Sequence, residues 1–186
     1  MIREEHKLVL NTLQFEEFIR YVNQNMTKIY PSRNIFSVYY DTKVFQLYSN
    51  SINSETDKYK IRLRKYDNNK EIFFEKKFTF EEKYKISIPY KYNYFPETIF
   101  DNGINFFKKV NISYKREYFK LFSSRVTIDK NIKYFHPFYG NEYQENIKII
   151  EFKLLNNDNS ITQYIPFQTT KFSKYENAIK KVYNLN

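Results

Sequence analysis

The segment "KYKIRLRKY", residues 58–66, decides how the rest of the chain is interpreted. Cationic and apolar side chains alternate along it, and the alternating cations are Lys58, Lys60, Arg62 and Arg64. Successive side chains of a β-strand point to opposite faces, so the segment predicts a strand with one cationic and one apolar face. The cationic face is either a solvated surface or a binding site for a polyanion.

Composition limits the classes of protein that this chain can be. Its 186 residues fit one domain, residues 1–186, and its net charge of +10 indicates an acidic partner. The absence of cysteine excludes disulfides and thiolate chemistry. No stretch approaches the roughly 18 apolar residues of a membrane span, and charged residues begin already at Arg3. We therefore expect a cytoplasmic protein that would associate with a membrane only through a partner.

Strand signals dominate the chain. They occur near residues 2–10, 34–41, 58–67, 71–79, 83–89, 110–121, 123–131, 146–155 and 161–167. Helical spacing predicts helices over residues 14–26 and 173–183, the second starting with a capping box at Ser173, and a weaker helix over 97–108. Strands in hairpin order with flanking helices predict an antiparallel α+β fold, either a sandwich or a barrel.

The charged side chains share one face of several predicted strands, and apolar side chains take the other face. In a sandwich the charged faces would be solvated and the apolar faces would form the core. In a closed barrel the charges would line the lumen, and helices would cover the apolar exterior. Strand periodicity alone does not separate these two architectures.

Carboxylates are interspersed among the cations on these faces, as Glu5, Glu75 and Glu151. Two like charges about 4 Å apart repel by about 4 kcal/mol at an effective dielectric of roughly 20, so a cationic lumen needs such carboxylates or a bound polyanion. Arginine and lysine suit phosphate oxygens, and carboxylates suit Mg²⁺ or Mn²⁺. The pattern therefore indicates a phosphate site with a divalent cation.

Seven motifs occur in the order found in the VTC domain, the polyphosphate-polymerase branch of the triphosphate tunnel metalloenzymes. They are "SVYYDT" (37–42), "KIRLRKY" (60–66), "FFEKKF" (73–78), "YKREYF" (114–119), "SRVTIDKNI" (124–132), "IIEFK" (149–153) and "FSKYENA" (172–178). The opening "REEHK" (3–7) also resembles the first strand of that family. The resemblance implies an eight-stranded antiparallel barrel with a basic lumen. It also implies that the chain makes polyphosphate from the γ-phosphate of ATP, with Mn²⁺ or Mg²⁺ as cofactor.

The resemblance also implies roles for individual residues. The catalytic cations would be Arg62, Arg64, Lys77, Arg116 and Arg125. Phosphate would also be bound by Lys7, Lys83, Lys85 and Lys174. The metal would be held by Glu151, with Glu5 and Glu75 as helpers. Truncating Arg62 or Arg116 is expected to slow phosphate transfer and to leave the fold intact or even more stable.

Two other functions remain open at this level. A triphosphatase on the same tunnel is one, although its branches open with Glu-x-Glu-x-Lys and this chain has Arg3 at the first position. A non-catalytic module that binds polyphosphate or single-stranded nucleic acid is the other. We expect no nucleic acid as partner, because the aromatic residues show no compact run of exposed ring pairs. The expected partners are ATP, polyphosphate and a membrane protein that exports the polymer.

Overall fold

The computed structural model describes residues 3–22, 25–53, 58–67, 69–79, 84–122, 124–155 and 168–185. The strands among them are β1 (Arg3–Leu10), β2 (Met26–Asp41), β3 (Tyr59–Tyr66), β4 (Ile72–Phe78), β5 (Lys85–Pro89), β6 (Thr98–Asp101), β7 (Ile104–Leu121), β8 (Ser124–Phe135), β9 (Glu142–Gln144) and β10 (Lys148–Leu155). The helices are α1 (Thr12–Val22), α2 (Gln46–Ile52) and α3 (Lys174–Tyr183). No helix in these ranges combines the length and the apolarity needed to cross a membrane.

The strands are hydrogen-bonded in the order β1-β10-β8-β7-β2-β3-β4-β5, with β6 on β7 and β9 on β8. The prediction of a mostly antiparallel sheet with a few helices is confirmed. Among the described strands, β1 and β5 end this order without pairing to each other. The closed eight-stranded barrel is therefore not confirmed.

The chain divides into two compact units, each built from separated segments. The first unit comprises Met1–Asn34, Tyr114–Ile132 and Gln144–Phe172. The second unit comprises Ile35–Ser113, Lys133–Tyr143 and Ser173–Asn186. The single domain over residues 1–186 stays a prediction.

The core of the first unit lies between its strands and α1. Leu8 of β1, Val126 of β8 and Ile150 of β10 are buried on the same side, in one cluster with Phe18 and Val22 of α1. The amphipathic spacing of α1 thus buries its apolar stripe on the apolar face of the strands. Charged side chains at the alternate positions of these strands, among them Glu5, Asp129 and Glu151, lie on the opposite face.

The core of the second unit has the same logic. Val38 of β2, Ile61 of β3 and Ile72 of β4 are buried with Leu47 of α2 and Phe106 of β7. The predicted alternation of residues 58–66 is thereby confirmed, because Ile61 and Leu63 of β3 are in the core. Its cations lie on the other face of the strand.

Polar side chains fix the starts of the helices. Asn11 Oδ1 accepts the backbone N–H of Gln14, and Gln14 Oε1 accepts that of Asn11, which caps α1. Ser173 Oγ accepts the N–H of Glu176, so the predicted capping box of α3 is confirmed. Buried Asp41 accepts backbone N–H groups of α2, a helix that sequence periodicity did not predict.

One predicted helix is wrong. Residues 97–108 form the antiparallel hairpin of β6 and β7. Asn102 and Gly103 both have positive φ at its turn, and an Asn-Gly pair favours such a turn over a helix. The predicted strand at 161–167 lies outside the described residues.

Candidate functional site

Neighbouring strands of the second unit bring the predicted cations into rows. The register places Lys60 opposite Lys77 and Lys77 opposite Lys85, while Arg62 lies opposite Glu75. Side chains two residues apart share a face, so these residues lie on one side of the sheet. We call this side the Arg62 face; it consists of Ser37, Tyr39, Lys60, Arg62, Arg64, Glu75, Lys77, Lys85 and Ser87.

Glu75 is the carboxylate at the centre of the Arg62 face, and it is only 1% exposed. Its Oε2 accepts from Nε and NH2 of Arg62, both at 2.6 Å, and lies 3.4 Å from NH1 of Arg64. Its Oε1 accepts from Lys85 Nζ at 2.8 Å and from Ser87 Oγ at 3.3 Å. Burial opposes the charge, but these cations lower the pKa of Glu75 far below its usual range. Both of its oxygens accept hydrogen bonds from these groups, which favours a role as counter-ion over the predicted role as a helper at the metal.

Tyr39 is a member of the Arg62 face that the sequence analysis did not select. Arg62 NH1 donates to its hydroxyl at 2.6 Å, and the Tyr39 ring stacks on that of Tyr175 with centroids 5.1 Å apart. Burial alone would raise the pKa of Tyr39, but Arg62 and Arg64 lower it to about 8. The phenol is therefore easier to ionise than an ordinary tyrosine, and it can accept a hydrogen bond from a cation or donate one to an anion.

The first turn of α3 packs against the Arg62 face. Lys60 Nζ donates to Ser173 Oγ at 2.7 Å and to Glu176 Oε1 at 2.8 Å. The hydroxyl of Tyr175 donates to Asp41. Burial, together with the charge of Asp41, raises the pKa of Tyr175 well above its usual range. The predicted phosphate ligand Lys174 is half-buried in this same turn.

In the first unit, Arg116 of β7 is bound to Asp129 of β8. Nε and NH2 of the guanidinium reach the two carboxylate oxygens at 2.6 and 2.7 Å, and Asp129 is 1% exposed. Burial would lower the pKa of Arg116, but Asp129 raises it well above its usual value. The pair is a bidentate salt bridge, in which the carboxylate fixes the orientation of the guanidinium group.

Glu151 of β10 lies beside a second carboxylate. Lys153 Nζ is 3.3 Å from Glu151 Oε1 and 3.1 Å from Glu5 Oε1, so one ammonium group bridges both carboxylates. Burial and Glu5 oppose the charge of Glu151, but Arg116, Lys153 and Lys7 lower its pKa below the usual range. Glu151 is therefore ionised at neutral pH.

These residues share one side of the first unit with Thr127, which lies opposite Glu151 in the β8–β10 ladder. We call this side the Glu151 face; it consists of Glu5, Lys7, Arg116, Arg125, Thr127, Asp129, Glu151 and Lys153. Thr127 is buried, and its Oγ1 finds no hydrogen-bond partner in the part of the chain that the structure describes.

The Glu151 face fits the predicted divalent cation. Glu5 and Glu151 already hold one ammonium group between them, and the buried hydroxyl of Thr127, which has no hydrogen-bond partner among the described residues, lies opposite Glu151. Mg²⁺ and Mn²⁺ are often held by one or two carboxylates together with phosphates of the substrate. Across the described ranges, no group of three or more His, Cys, Asp and Glu residues stands together. The protein would therefore supply few of the metal's ligands and the substrate the rest.

The structure brings the predicted site residues together in two sets. The second unit holds Arg62, Arg64, Lys77, Lys85, Glu75 and Lys174, and the first unit holds Lys7, Arg116, Arg125, Glu5 and Glu151. Lys7 lies opposite Glu151, with its Nζ donating to the carbonyl of Phe172 at 3.1 Å, and Arg125 is exposed. Lys83 lies outside the described residues. Their roles in binding and catalysis stay predictions.

Sequence reasoning missed several partners, for which the same alternation carried a signal. Tyr39 and Asp41 lie two and four positions after Ser37, and Asp129 lies four positions after Arg125. An even spacing predicts that side chains share one face of a strand, but it does not predict which cation pairs with which carboxylate.

The sequence argument against nucleic acid is wrong in one respect. Tyr90, Tyr92 and Tyr94 form a run of ring pairs with centroids 5.7 and 5.3 Å apart, and the second and third rings are exposed. Lys91 Nζ lies 4.7 Å from the Tyr92 ring centroid. A compact run of exposed rings therefore exists in the loop between β5 and β6, and the absence of a nucleic-acid partner stays a prediction.

Comparison of sequences identifies a family. The profile of the VTC domain matches residues 2–109 and 105–183, which together span nearly the whole chain. No curated protein sequence matches significantly.

Comparison of structures identifies proteins of similar fold. A protein of Pyrococcus horikoshii is 13% identical with a TM-score of 0.58, and the match covers 96% of this chain and 99% of that one. A candidate adenylate cyclase of Vibrio parahaemolyticus is 13% identical with a TM-score of 0.58, covering 95% and 97%. HpAC1 of Hippeastrum, a candidate adenylyl cyclase with a dominant triphosphatase activity, is 11% identical with a TM-score of 0.60, covering 98% and 97%. These matches show that the chain shares the fold of these proteins.

Proposed function

Because the chain belongs to the VTC domain family, we propose that it is a polyphosphate polymerase that transfers the γ-phosphate of ATP to a growing polyphosphate chain. The proposal includes the closed tunnel that the family resemblance implies. The tunnel superfamily uses divalent metals and acts on phosphate compounds, which is the chemistry that the proposal requires.

The observation that supports the proposal best is the arrangement of the Arg62 face. Arg62 and Arg64 are both held by the buried Glu75, so their guanidinium groups are fixed before any substrate binds. Phosphoryl transfer asks for positioned positive charge and little covalent help from side chains. A rigid pair of guanidinium groups supplies such charge without the cost of reorganising it during the reaction.

In the proposed reaction, a terminal oxygen of the polyphosphate chain attacks the γ-phosphorus of ATP in line with the leaving group. The new bond joins that oxygen to the γ-phosphorus. The bond from the γ-phosphorus to the oxygen that bridges the β- and γ-phosphates breaks, and ADP leaves with the electron pair. The attacking oxygen is already anionic, so the step needs no general base. Arg62 and Arg64 neutralise the charge of the transferred group, and Glu75 is a positioning residue for both.

The Glu151 face has a separate part in the proposal. Glu151 and Glu5 would hold Mn²⁺ or Mg²⁺, with Lys153 moving aside and Thr127 nearby as a hydroxyl donor or acceptor. When bound, the divalent ion supplies positive charge to phosphate oxygens. Arg116 remains bound to Asp129 and presents its outer N–H groups to phosphate.

The test is to incubate the purified protein with ATP and Mn²⁺, resolve the products on a gel stained for polyphosphate, and assay free phosphate in parallel. A ladder of polymers with ADP accumulating is the expected result. Arg62→Gln and Glu151→Gln should both abolish the ladder, whereas Lys120→Gln, which removes an exposed charge elsewhere, should keep it. A protein that makes neither polymer nor free phosphate would refute the enzymatic proposal and leave a phosphate-binding module.

The second candidate is a triphosphatase, which the activity of the Hippeastrum protein favours. In that case water attacks the terminal phosphorus, and an acid face such as that of Glu151 and Glu5 would orient it. The same incubation separates the candidates, because hydrolysis gives free phosphate without polymer. Arg3 in place of a carboxylate at the start of β1 favours the polymerase.

A further inference from the structure

A cavity of about 330 Å³ lies in the second unit, and it contains none of the residues of the Arg62 face. We call it the Lys43 cavity; it is lined by Lys43, Glu97, Thr98, Phe107, Lys108, Lys109, His136, Phe138 and Tyr183. Tyr183 is in the last turn of α3, whereas Ser173, which binds Lys60, precedes its first turn. Ten residues of helix separate these ends by about 15 Å.

Cations and aromatic rings line the Lys43 cavity together. Lys109 Nζ donates to the carbonyl of Lys43 at 3.1 Å and lies 4.0 Å from the ring centroid of Phe45, so it is held in place. Lys43 Nζ lies 5.4 Å from the ring centroid of Phe107. With Lys108 the walls carry three lysines and one acid, Glu97. An anion is therefore the complementary ligand.

His136 adds a neutral donor to this wall. Its Nδ1 accepts backbone N–H groups of Phe138 and Tyr139, both at 3.2 Å, so the proton of the neutral ring is on Nε2. Its ring packs on those of Tyr139 and Tyr183, with centroids 4.4 and 5.2 Å away. Burial lowers the pKa of His136, so the ring is neutral at pH 7.

We propose that the Lys43 cavity binds a nucleoside phosphate. The lysines would bind the phosphate, and the exposed ring of Phe138 would stack on the base. The carboxylate of Glu97 would repel an inorganic anion, but it is a good hydrogen-bond acceptor for ribose hydroxyls. The volume is at the lower end of the range for small-molecule sites, which suits a single nucleotide.

This binding is separate from the proposed catalysis. The chain has two histidines, and His6 belongs to the first unit, so the two imidazole signals in an NMR spectrum report on different units. The probes are ADP, ribose 5-phosphate and inorganic phosphate, each titrated into the full chain without metal. We expect ADP to move the His136 signal saturably and to leave that of His6 in place.

Substitutions then test each wall. Lys43→Gln and Lys108→Gln should each weaken ADP binding about tenfold, as expected for a lost hydrogen bond to a charged group. Phe138→Ala should weaken ADP about tenfold and leave ribose 5-phosphate unchanged. Lys120→Gln controls for the loss of one positive charge, and Arg62→Gln should leave the response of His136 to ADP intact.

Three results would overturn the proposal. The first is a His136 signal that does not move at millimolar ADP. The second is inorganic phosphate binding as tightly as ADP, which indicates an unspecific cationic surface. The third is loss of the response in Arg62→Gln, which would mean that ADP acts from the Arg62 face. A failure of polymer synthesis with an intact His136 response would refute only the proposed catalysis.

Discussion

At the scale of single residues, the pairing of Arg116 with Asp129 reverses an expectation. From the sequence, truncation of Arg116 was expected to leave the fold intact or more stable by relieving repulsion between cations. The guanidinium is instead bound through two nitrogens to a carboxylate that is almost fully buried. Removing one member of such a pair leaves the other charged and desolvated.

We therefore expect Arg116→Ala to lower the free energy of unfolding by about 3–5 kcal/mol. Urea denaturation followed by circular dichroism measures it. Lys115→Ala, the exposed neighbour, is the matched control and should change stability by less than about 0.5 kcal/mol. Stability of Arg116→Ala equal to that of the parent would show that the sequence-based expectation holds after all.

Tyr39 gives a dependence of stability on alkaline pH. Its pKa in the folded protein is about 8, and the unfolded value is the ordinary 10.0. The folded state thus favours the phenolate, so this contribution is absent below pH 8, grows between the two values and is complete above 10. The difference in unfolding free energy between the parent and Tyr39→Phe should rise by on the order of 2 kcal/mol across this window. A flat difference would show that Arg62 and Arg64 do not stabilise the phenolate.

At the scale of elements, β3, β4 and β5 form one electrostatic assembly around Glu75. Arg62 and Arg64 of β3 and Lys85 of β5 all meet the same carboxylate of β4. In Glu75→Gln these cations would lose the negative charge that they share. A phosphate anion is the group best able to replace the lost carboxylate.

Glu75→Gln should therefore unfold at a lower temperature than the parent, and added tripolyphosphate should restore more of the melting temperature in the variant than it adds to the parent. A stability loss of about 3–5 kcal/mol is expected without the anion. Thermal unfolding with and without tripolyphosphate measures both effects. Glu71→Gln, an exposed position before the same strand, should respond as the parent does. An equal gain in all three proteins would argue against phosphate binding at this face.

The sequence predicted elements better than it predicted contacts. Alternation found β1, β3, β4 and β10 because each buries one face, and the box at Ser173 found the start of α3. Residues 97–108 were misassigned because apolar spacing outweighed the Asn102-Gly103 turn signal. Helix α2 was missed because Asp41, the acid that accepts its N–H groups, precedes it by several residues.

The candidate site shows where such prediction ends. The spacing of two residues along a strand was enough to place Arg62 with Arg64 on one face, and Glu151 with Lys153 on one face. Which acid meets which cation depends on the register between strands, which turns and packing set and a single strand does not encode. The sequence alone therefore did not predict that Arg62 pairs with Glu75 or that Arg116 pairs with Asp129. It also did not predict the cluster of rings around His136.

At the scale of the whole molecule, net charge and site geometry make different predictions. A chain with a net charge of +10 attracts any polyanion, and salt weakens that attraction. A built site should depend on particular cations rather than on their number. Two variants of equal charge separate these contributions.

The first variant combines Arg62→Gln with Arg64→Gln and removes two positive charges from the Arg62 face. The second combines Lys115→Gln with Lys120→Gln and removes two positive charges from exposed positions of β7. We expect the first variant to lose most of the affinity for tripolyphosphate, by about tenfold or more, and the second to lose little. Isothermal titration calorimetry at two salt concentrations measures it. Equal losses in the two variants would show that binding follows net charge alone.

The discontinuous make-up of both units has a consequence for biosynthesis. β1 pairs with β10, so Leu10 finds its partner Lys148 only after 138 further residues have been made. At about 5–20 residues per second, the emerging β1 waits roughly seven to thirty seconds before that partner strand is synthesised. The second unit likewise awaits α3 and its capping residue, because Glu176 of α3 and Ser173 before it both bind Lys60. We therefore expect nascent chains of this protein to need chaperones until α3 has been synthesised.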